Sequence, residues 1–191
     1  MIVAETPFAA IDFESAGVRR GSTEVPVQIG VALMRNLEIC GNFTSFLFTD
    51  QPITWAAQKV HGICPSDLIG APGLLQLWPE LRKLLKDQWL VAHGSATERR
   101  FLRAFPFHGF GPWVDTLKLA RAVWPERKSF ALGDLLLDLG LEGELRSTLP
   151  SFRWHDALSD ATASLVLLRR LIAETRISSE PAEILLRPDD S

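Results

Sequence analysis

The sequence predicts an α/β domain in which helices cover a mixed sheet. Three observations carry that expectation. The first third of the chain is rich in strand-like apolar runs. From Thr54 onward the hydrophobic period becomes helical. Short apolar runs then alternate with helical segments. With 191 residues, 47% apolar and 23% charged, the composition suits one globular, soluble domain with its own core.

The elements follow in order. Residues 8–14 form a first strand, bounded by Gly17. VPVQIGVALM, 25–34, forms a second, and Leu37 to Phe48 a third. The connection at Asn36 is short enough for a hairpin, so these three run antiparallel. ITWAAQKVHGI suggests a short helix with Thr54 as its N-cap. GLLQLWPELRKLLK, 73–86, has helical spacing that Pro79 divides or kinks. WLVAH, 89–93, is a buried strand. Ser95 starts a helix that runs to about Ala104. WVD, 113–115, is a last strand, and Asp115 or Thr116 caps the helix TLKLARAVW. ALGDLLLDLGL is a helix ended by Gly140. A long final helix runs from about His155 to Thr175, with its apolar residues on one stripe. The expected organisation is one domain over 1–176 and a flexible C-terminal tail over 177–191.

The bulk properties exclude several classes. No apolar run reaches the ~18 residues of a membrane span, so no membrane association is expected. The N-terminus lacks the basic start of a signal peptide. Cys40 and Cys64 form neither a disulfide framework nor a CxxC metal pattern; two ordinary thiols suit a cytoplasmic protein. The net charge of −3 is not that of a protein whose whole surface grips nucleic acid. Any such contact is local.

Three segments carry chemistry. Asp12 and Glu14 sit two apart on the first strand and therefore share a face. Paired carboxylates repel and lose water unless something compensates. A polar strand edge facing solvent is one explanation. A divalent cation, Mg²⁺ or Mn²⁺, is the other, because it suits hard oxygen ligands. In RWHDALSDATASLVLL, 153–168, His155 and Asp160 lie five apart. On a regular helix that is a rotation of about 140° net. They share a site only if the helix begins between them. Asp156 serves equally well as a first-turn acid favoured by the helix dipole. In VAHGSATERRFL, 91–102, Glu98 lies on a helix after a strand. Followed by Arg99 and Arg100, it also reads as part of a solvated, ion-paired face.

Together the three segments resemble the DEDDh family of 3′–5′ exonucleases over about residues 8–175. IDFESAG is similar to the family's D-x-E motif, VAHGSATERRFL to its second motif, and HDALSDA to its H-x-A-x-x-D-A motif. VQIGVAL, VHGI at 60–63 and DTLKLAR at 115–121 are softer echoes. The resemblance implies an RNase H-like fold with a central five-stranded mixed sheet. It implies hydrolysis of phosphodiester bonds at single-stranded DNA or RNA 3′ ends, with two divalent cations, Mg²⁺ or Mn²⁺, as cofactors. Asp12 would bridge both ions, Glu14 and Asp160 would hold one, Glu98 would support the other, and His155 would be the general base. Phe13, Ser15, Ile63 and Arg153 are the candidate substrate contacts, with Arg146, Arg19 and Arg20 as further phosphate candidates; Phe13 suits the core equally well, and each of these arginines suits a solvated surface. His61 and His93 are not expected to be catalytic.

The pattern departs from the family in the second motif. Glu98 stands for Asp, Gly94 for Asn, and Thr97 for an aromatic; Ser15-Ala16 replaces Thr-Thr. These changes keep a weakened nuclease or a nucleic-acid-binding adaptor in view. A polymerase is a candidate partner and DNA repair a candidate setting, with EILLRPDD near the C-terminus as a docking peptide. A homodimer is left open, since nothing marks an interface.

Overall fold

The computed structural model describes residues 1–18, 21 and 23–186. Five strands form one mixed sheet. β1 (Phe8–Ser15), β2 (Pro26–Arg35) and β3 (Glu38–Phe46) make an antiparallel meander. β4 (Trp89–Ala92) and β5 (Trp113–Asp115) add in parallel on the other side of β1, giving the order β3-β2-β1-β4-β5. The hairpin at Asn36 forms with both Asn36 and Leu37 at positive φ, the handedness that a two-residue turn needs to match strand twist.

Strand alternation sorts β1 between two layers. Ala9, Ile11 and Phe13 pack with Leu81 and Leu85 of α2 (Trp78–Leu85) and with Phe101 and Leu102 of α3 (Ala96–Leu102). Phe8 and Ala10 pack with Ala161, Leu165 and Leu168 of α7 (Ala157–Thr175). Asp12 and Glu14 extend this second face, so they emerge beneath the start of α7. The remaining helices are α1 (Trp55–His61), α4 (Thr116–Val123), α5 (Leu132–Asp138) and α6 (Glu142–Thr148). Thr54 caps α1, Asp115 caps α4, and Pro79 sits in the first turn of α2 after a short 3-10 turn.

Three expectations change. The single apolar stripe of the last helix is too narrow: α7 is buried from Ala157 to Leu168 except at Asp160. Its other side packs Val166, Leu167 and Leu171 against α5 and α6. The helix α6 goes beyond the expected elements. The tail over 177–191 is corrected for residues 177–186. Val3 and Ala4 donate backbone hydrogen bonds to Glu180 and Ser178, Ile2 bridges Pro181, and a 3-10 turn over Ala182–Leu186 buries Ala182 and Leu185. The pair Ala182 and Leu185, three apart, gives the segment an apolar face against the sheet edge. Leu185 belongs to the same core cluster as Val114 of β5. The domain therefore runs past residue 176, and the EILL half of EILLRPDD, residues 183–186, is part of it. Arg187 and the residues after it, like Arg19 and Arg20, lie outside the described residues.

Gly30 lets the two halves of the site meet. It pairs with Asp12 across β1 and β2. A Cβ at this position would lie 2.1 Å from the Leu158 backbone nitrogen and 2.2–2.3 Å from the Ala157 carbonyl group. Only a residue without a side chain allows α7 to sit this close to the sheet.

Candidate active site

Asp12 and Glu14 stand at the C-terminal end of the central strand. The loop before α7 brings His155 to them, and the first turn of α7 brings Asp160. Ligand atoms of Glu14, His155 and Asp160 lie within 4.8 Å of one another. The helix does begin between His155 and Asp160. Asp156 is its N-cap and accepts from the Ser159 backbone N–H, while His155 remains outside with φ +59°. That break lets two residues five apart reach one place.

Glu98 arrives from α3. Its expected alternative as a solvated, ion-paired acid is corrected, because Glu98 is only 6% exposed. The helix turns Glu98, Phe101 and Leu102 inward and leaves Arg99 and Arg100 outside. Arg100 pairs instead with Glu24. The inward face has the spacing i, i+3, i+4, a signal in the sequence that outweighed the neighbouring arginines.

The cluster is electrostatically costly as it stands. Burial, followed by the charges of Asp160, Glu98, Glu14 and Asp156, holds Asp12 well above the usual carboxylate range. Burial and then Asp156 push Glu14 up to about 7, although Arg153 opposes this. Burial is also the first cause for Glu98 and Asp160, each at about 7, with Asp115 and Glu14 respectively adding to it. Glu98 Oε2 and Asp160 Oδ1 are buried with no hydrogen-bond partner among the described residues. Orphaned buried oxygens call for a ligand. A hard divalent cation suits a set of carboxylates and one imidazole, and it would remove the repulsion. The residues present fit such ions.

The surroundings of the other sequence candidates differ. Phe13 is 6% exposed and meets Phe101 edge-on at 5.3 Å between ring centroids. Ile63 is 2% exposed in a small cluster with Ala16, Val27 and Leu68. Phe13, open in the sequence to either a terminal-base contact or the core, packs in the core, and Ile63, a candidate for the same base contact, is buried as well. For Phe13 the cause is alternation, which sends it to the face opposite Asp12 and Glu14. Ser15 Oγ donates to Glu24 at 2.6 Å. Arg153 is largely exposed, 4.0 Å from Asp156, and close enough to Glu14 to act on its charge. Arg146 stacks its guanidinium over Phe152.

The two histidines set aside in the sequence have structural partners. His61 accepts from the Ile63 backbone N–H at Nδ1, so its Nε2–H faces the Ser15 carbonyl at 3.1 Å. This ties the end of β1 to α1. His93 bridges Thr116 and the Phe130 carbonyl.

Two residues that shape the site were missed. Gly30 and Gln28 both lie in VQIGVAL. Gln28 pairs with Glu14 in the β1–β2 ladder, donates from Nε2 to Asp156 Oδ2 at 2.8 Å, and accepts from the Ala157 N–H at 3.2 Å. A polar Gln and a Gly inside an otherwise apolar strand were the available signal.

Comparison with known proteins gives a consistent result. The family model described as exonuclease, of the RNase T type, matches residues 9–168. The chain is 30% identical over 171 residues to the 3′–5′ exonuclease DinG of Staphylococcus haemolyticus, covering 87% of this chain and 18% of that protein. It is 26% identical over 173 residues to the PolC-type DNA polymerase III of Thermotoga maritima, covering 88% of this chain and 12% of that one. The chain thus spans less than a fifth of the length of these curated relatives. The solved structure of Exonuclease X with 5′-overhanging duplex DNA superposes with a TM-score of 0.76 at 25% identity, covering 93% of this chain and 98% of that one.

Proposed function

The chain belongs to the exonuclease family, and on that premise we propose that it removes nucleotides from single-stranded DNA or RNA 3′ ends as nucleoside 5′-monophosphates. One observation carries the reading. Glu14 and Asp160 come together with His155, Asp12 feels the charges of Glu14, Glu98 and Asp160, and Glu98 and Asp160 keep buried oxygens without partners among the described residues.

Asp12, Glu14, Glu98 and Asp160 would hold two divalent cations, Mg²⁺ or Mn²⁺. When bound, such ions neutralise the pocket and the phosphate and favour ionisation of water. His155 stands outside the helix at the edge of this cluster and takes a proton from the attacking water at a ring nitrogen. The water oxygen joins phosphorus as the P–O3′ bond breaks, and the departing O3′ takes up a proton from solvent. Glu98 is one methylene longer than Asp, so metal choice is the property that this change touches first. Arg153 and Ser15 remain the candidates for substrate contact, because both lie beside Glu14 and Arg153 is exposed.

The test of polarity uses one oligonucleotide labelled at either end, with Mn²⁺. Attack from the 3′ end gives a ladder of shortening products from the 5′-labelled strand and immediate release of labelled mononucleotide from the 3′-labelled one. Mononucleotide released first from the 5′-labelled strand would overturn the reading.

A polymerase context is a second reading, favoured by the likeness to PolC-type polymerase. It predicts co-elution with a replicative polymerase on gel filtration, and separate elution at micromolar concentration would refute it.

A further inference from the structure

We propose that Gln28 is the positioning residue of the loop that carries His155, its side-chain amide fixing where the imidazole stands over the carboxylates. The proposal rests on the nuclease reading of the site. His155 adopts a left-handed backbone conformation, φ +59°, which a residue with a side chain holds only when its surroundings enforce it. The enforcement is visible on both sides of it. After His155, Gln28 Nε2 donates to Asp156 Oδ2 and Gln28 Oε1 accepts from the Ala157 N–H. Asp156 Oδ1 accepts from the backbone N–H and the hydroxyl of Ser159. Before His155, the Arg153 N–H donates to that same Ser159 hydroxyl. One continuous network thus joins β2, the loop and the first turn of α7.

Gln28 is its anchor on the sheet. It is 4% exposed, and it sits opposite Glu14 in the strand register. The loop is therefore referenced directly to the strand that bears the carboxylates. The amide suits this place because one contact needs a donor and the other an acceptor. A carboxylate at this place would oppose Asp156. An apolar side chain would leave the Ala157 N–H and the Asp156 oxygen unmet.

The experiment compares wild type, Gln28→Glu, Gln28→Met and the double variant Gln28→Glu/Asp156→Asn, with folding checked by circular dichroism. The double variant reverses the polarity of the contact: the amide introduced at position 156 donates to the carboxylate introduced at position 28. The Ala157 and Ser159 hydrogen bonds keep their acceptors. Steady-state cleavage of a short single strand, Mn²⁺ affinity and hydrogen exchange over residues 153–157 are measured. Gln28→Glu is expected to lower kcat about 100-fold with KM and Mn²⁺ affinity little changed, the scale of loss for a misplaced catalytic group. Exchange over 153–157 accelerates, and the double variant recovers most of both. Gln28→Met shows the same loss without a new charge and carries the test if Gln28→Glu does not fold. Wild-type kcat in either single variant, or a folded double variant no better than Gln28→Glu, would overturn the proposal. If wild type cleaves no nucleic acid, the nuclease reading fails separately. Exchange then decides the positioning role, and unchanged protection over 153–157 in Gln28→Met would refute it.

Discussion

Divalent cations should stabilise this protein much more at pH 8 than at pH 5. Glu14, Glu98 and Asp160 titrate at about 7 in the fold, and Asp12 is held well above its ordinary range. In the unfolded chain the same groups lose their protons near pH 4. Their raised values mean that stability is fully present below about pH 4 and is lost as the pH climbs towards 7. Asp12, raised in the same direction, adds to the loss. For Glu14 alone, a move from 4.5 to about 7 corresponds to about 3 kcal/mol. In a domain of this size 1 kcal/mol shifts the melting temperature by about 2–4 °C, so one such group is worth on the order of 10 °C. The four share one pocket, and their protons are coupled, so the losses do not simply add. Metal ligands must be deprotonated; a bound cation therefore recovers what the alkaline apo-protein has lost and little at pH 5. His61, His93 and His108 have values lowered first by burial. They contribute in the opposite sense, with stability lost as the pH falls below 6.5. That background is common to samples with and without metal. The readout is thus the difference in melting temperature between EDTA and excess Mg²⁺ or Mn²⁺ at each pH. An increment of about 10 °C at pH 8 that shrinks towards zero at pH 5 is expected. A constant increment, or none, would refute the argument that the carboxylates are reconciled by metal.

Three further outcomes follow from the geometry. Gly30→Ala places a carbon 2.1 Å from the α7 backbone; reaching ordinary contact moves the helix by about 1.5 Å. Activity should drop about 100-fold and stability by about 1–3 kcal/mol, read by single-turnover cleavage and urea melts. Wild-type turnover in the folded variant would contradict the close approach. His155→Gln should lower kcat by a factor of about 10²–10⁴ while the strand is still bound, seen by fluorescence anisotropy in Ca²⁺; unchanged kcat would remove His155 from the base role. Glu98→Gln removes one buried charge, so the metal-free protein should melt higher at pH 8 while Mn²⁺ binding measured by calorimetry weakens. Unaltered Mn²⁺ affinity would take Glu98 out of the metal site.

Much of this site was legible because it rests on local rules. Alternation along β1 placed Asp12 and Glu14 together, and the acid pair announced an unmet electrostatic cost. The ordered motifs linked them to His155 and Asp160 across more than 140 residues of chain, a distance that periodicity alone does not bridge. Glu98 was harder to read. Its two arginine neighbours signalled solvent, and only the shared face with Phe101 and Leu102 reveals that it points inward. Phe13 was open to two readings: its place beside two catalytic candidates suggests substrate contact, while the strand's own alternation sends it to the opposite layer, where it packs. The segment 177–186 looked like a tail because Ser178, Ser179, Glu180 and Pro181 interrupt it after the long helix. Its order comes from backbone hydrogen bonds to Val3 and Ala4, which pattern does not encode. Gly30 and Gln28 act through contacts with α7, far away in sequence, and so carry no local signature beyond being out of place in a strand.

The most direct test of the central claim is the cleavage of 5′-labelled single-stranded DNA and RNA by wild type and Asp12→Asn, each in Mg²⁺, Mn²⁺ and EDTA. The carboxylate centre predicts a ladder of shortening products with metal, none in EDTA, and none from the folded variant. A ladder that survives in Asp12→Asn or in EDTA would contradict it.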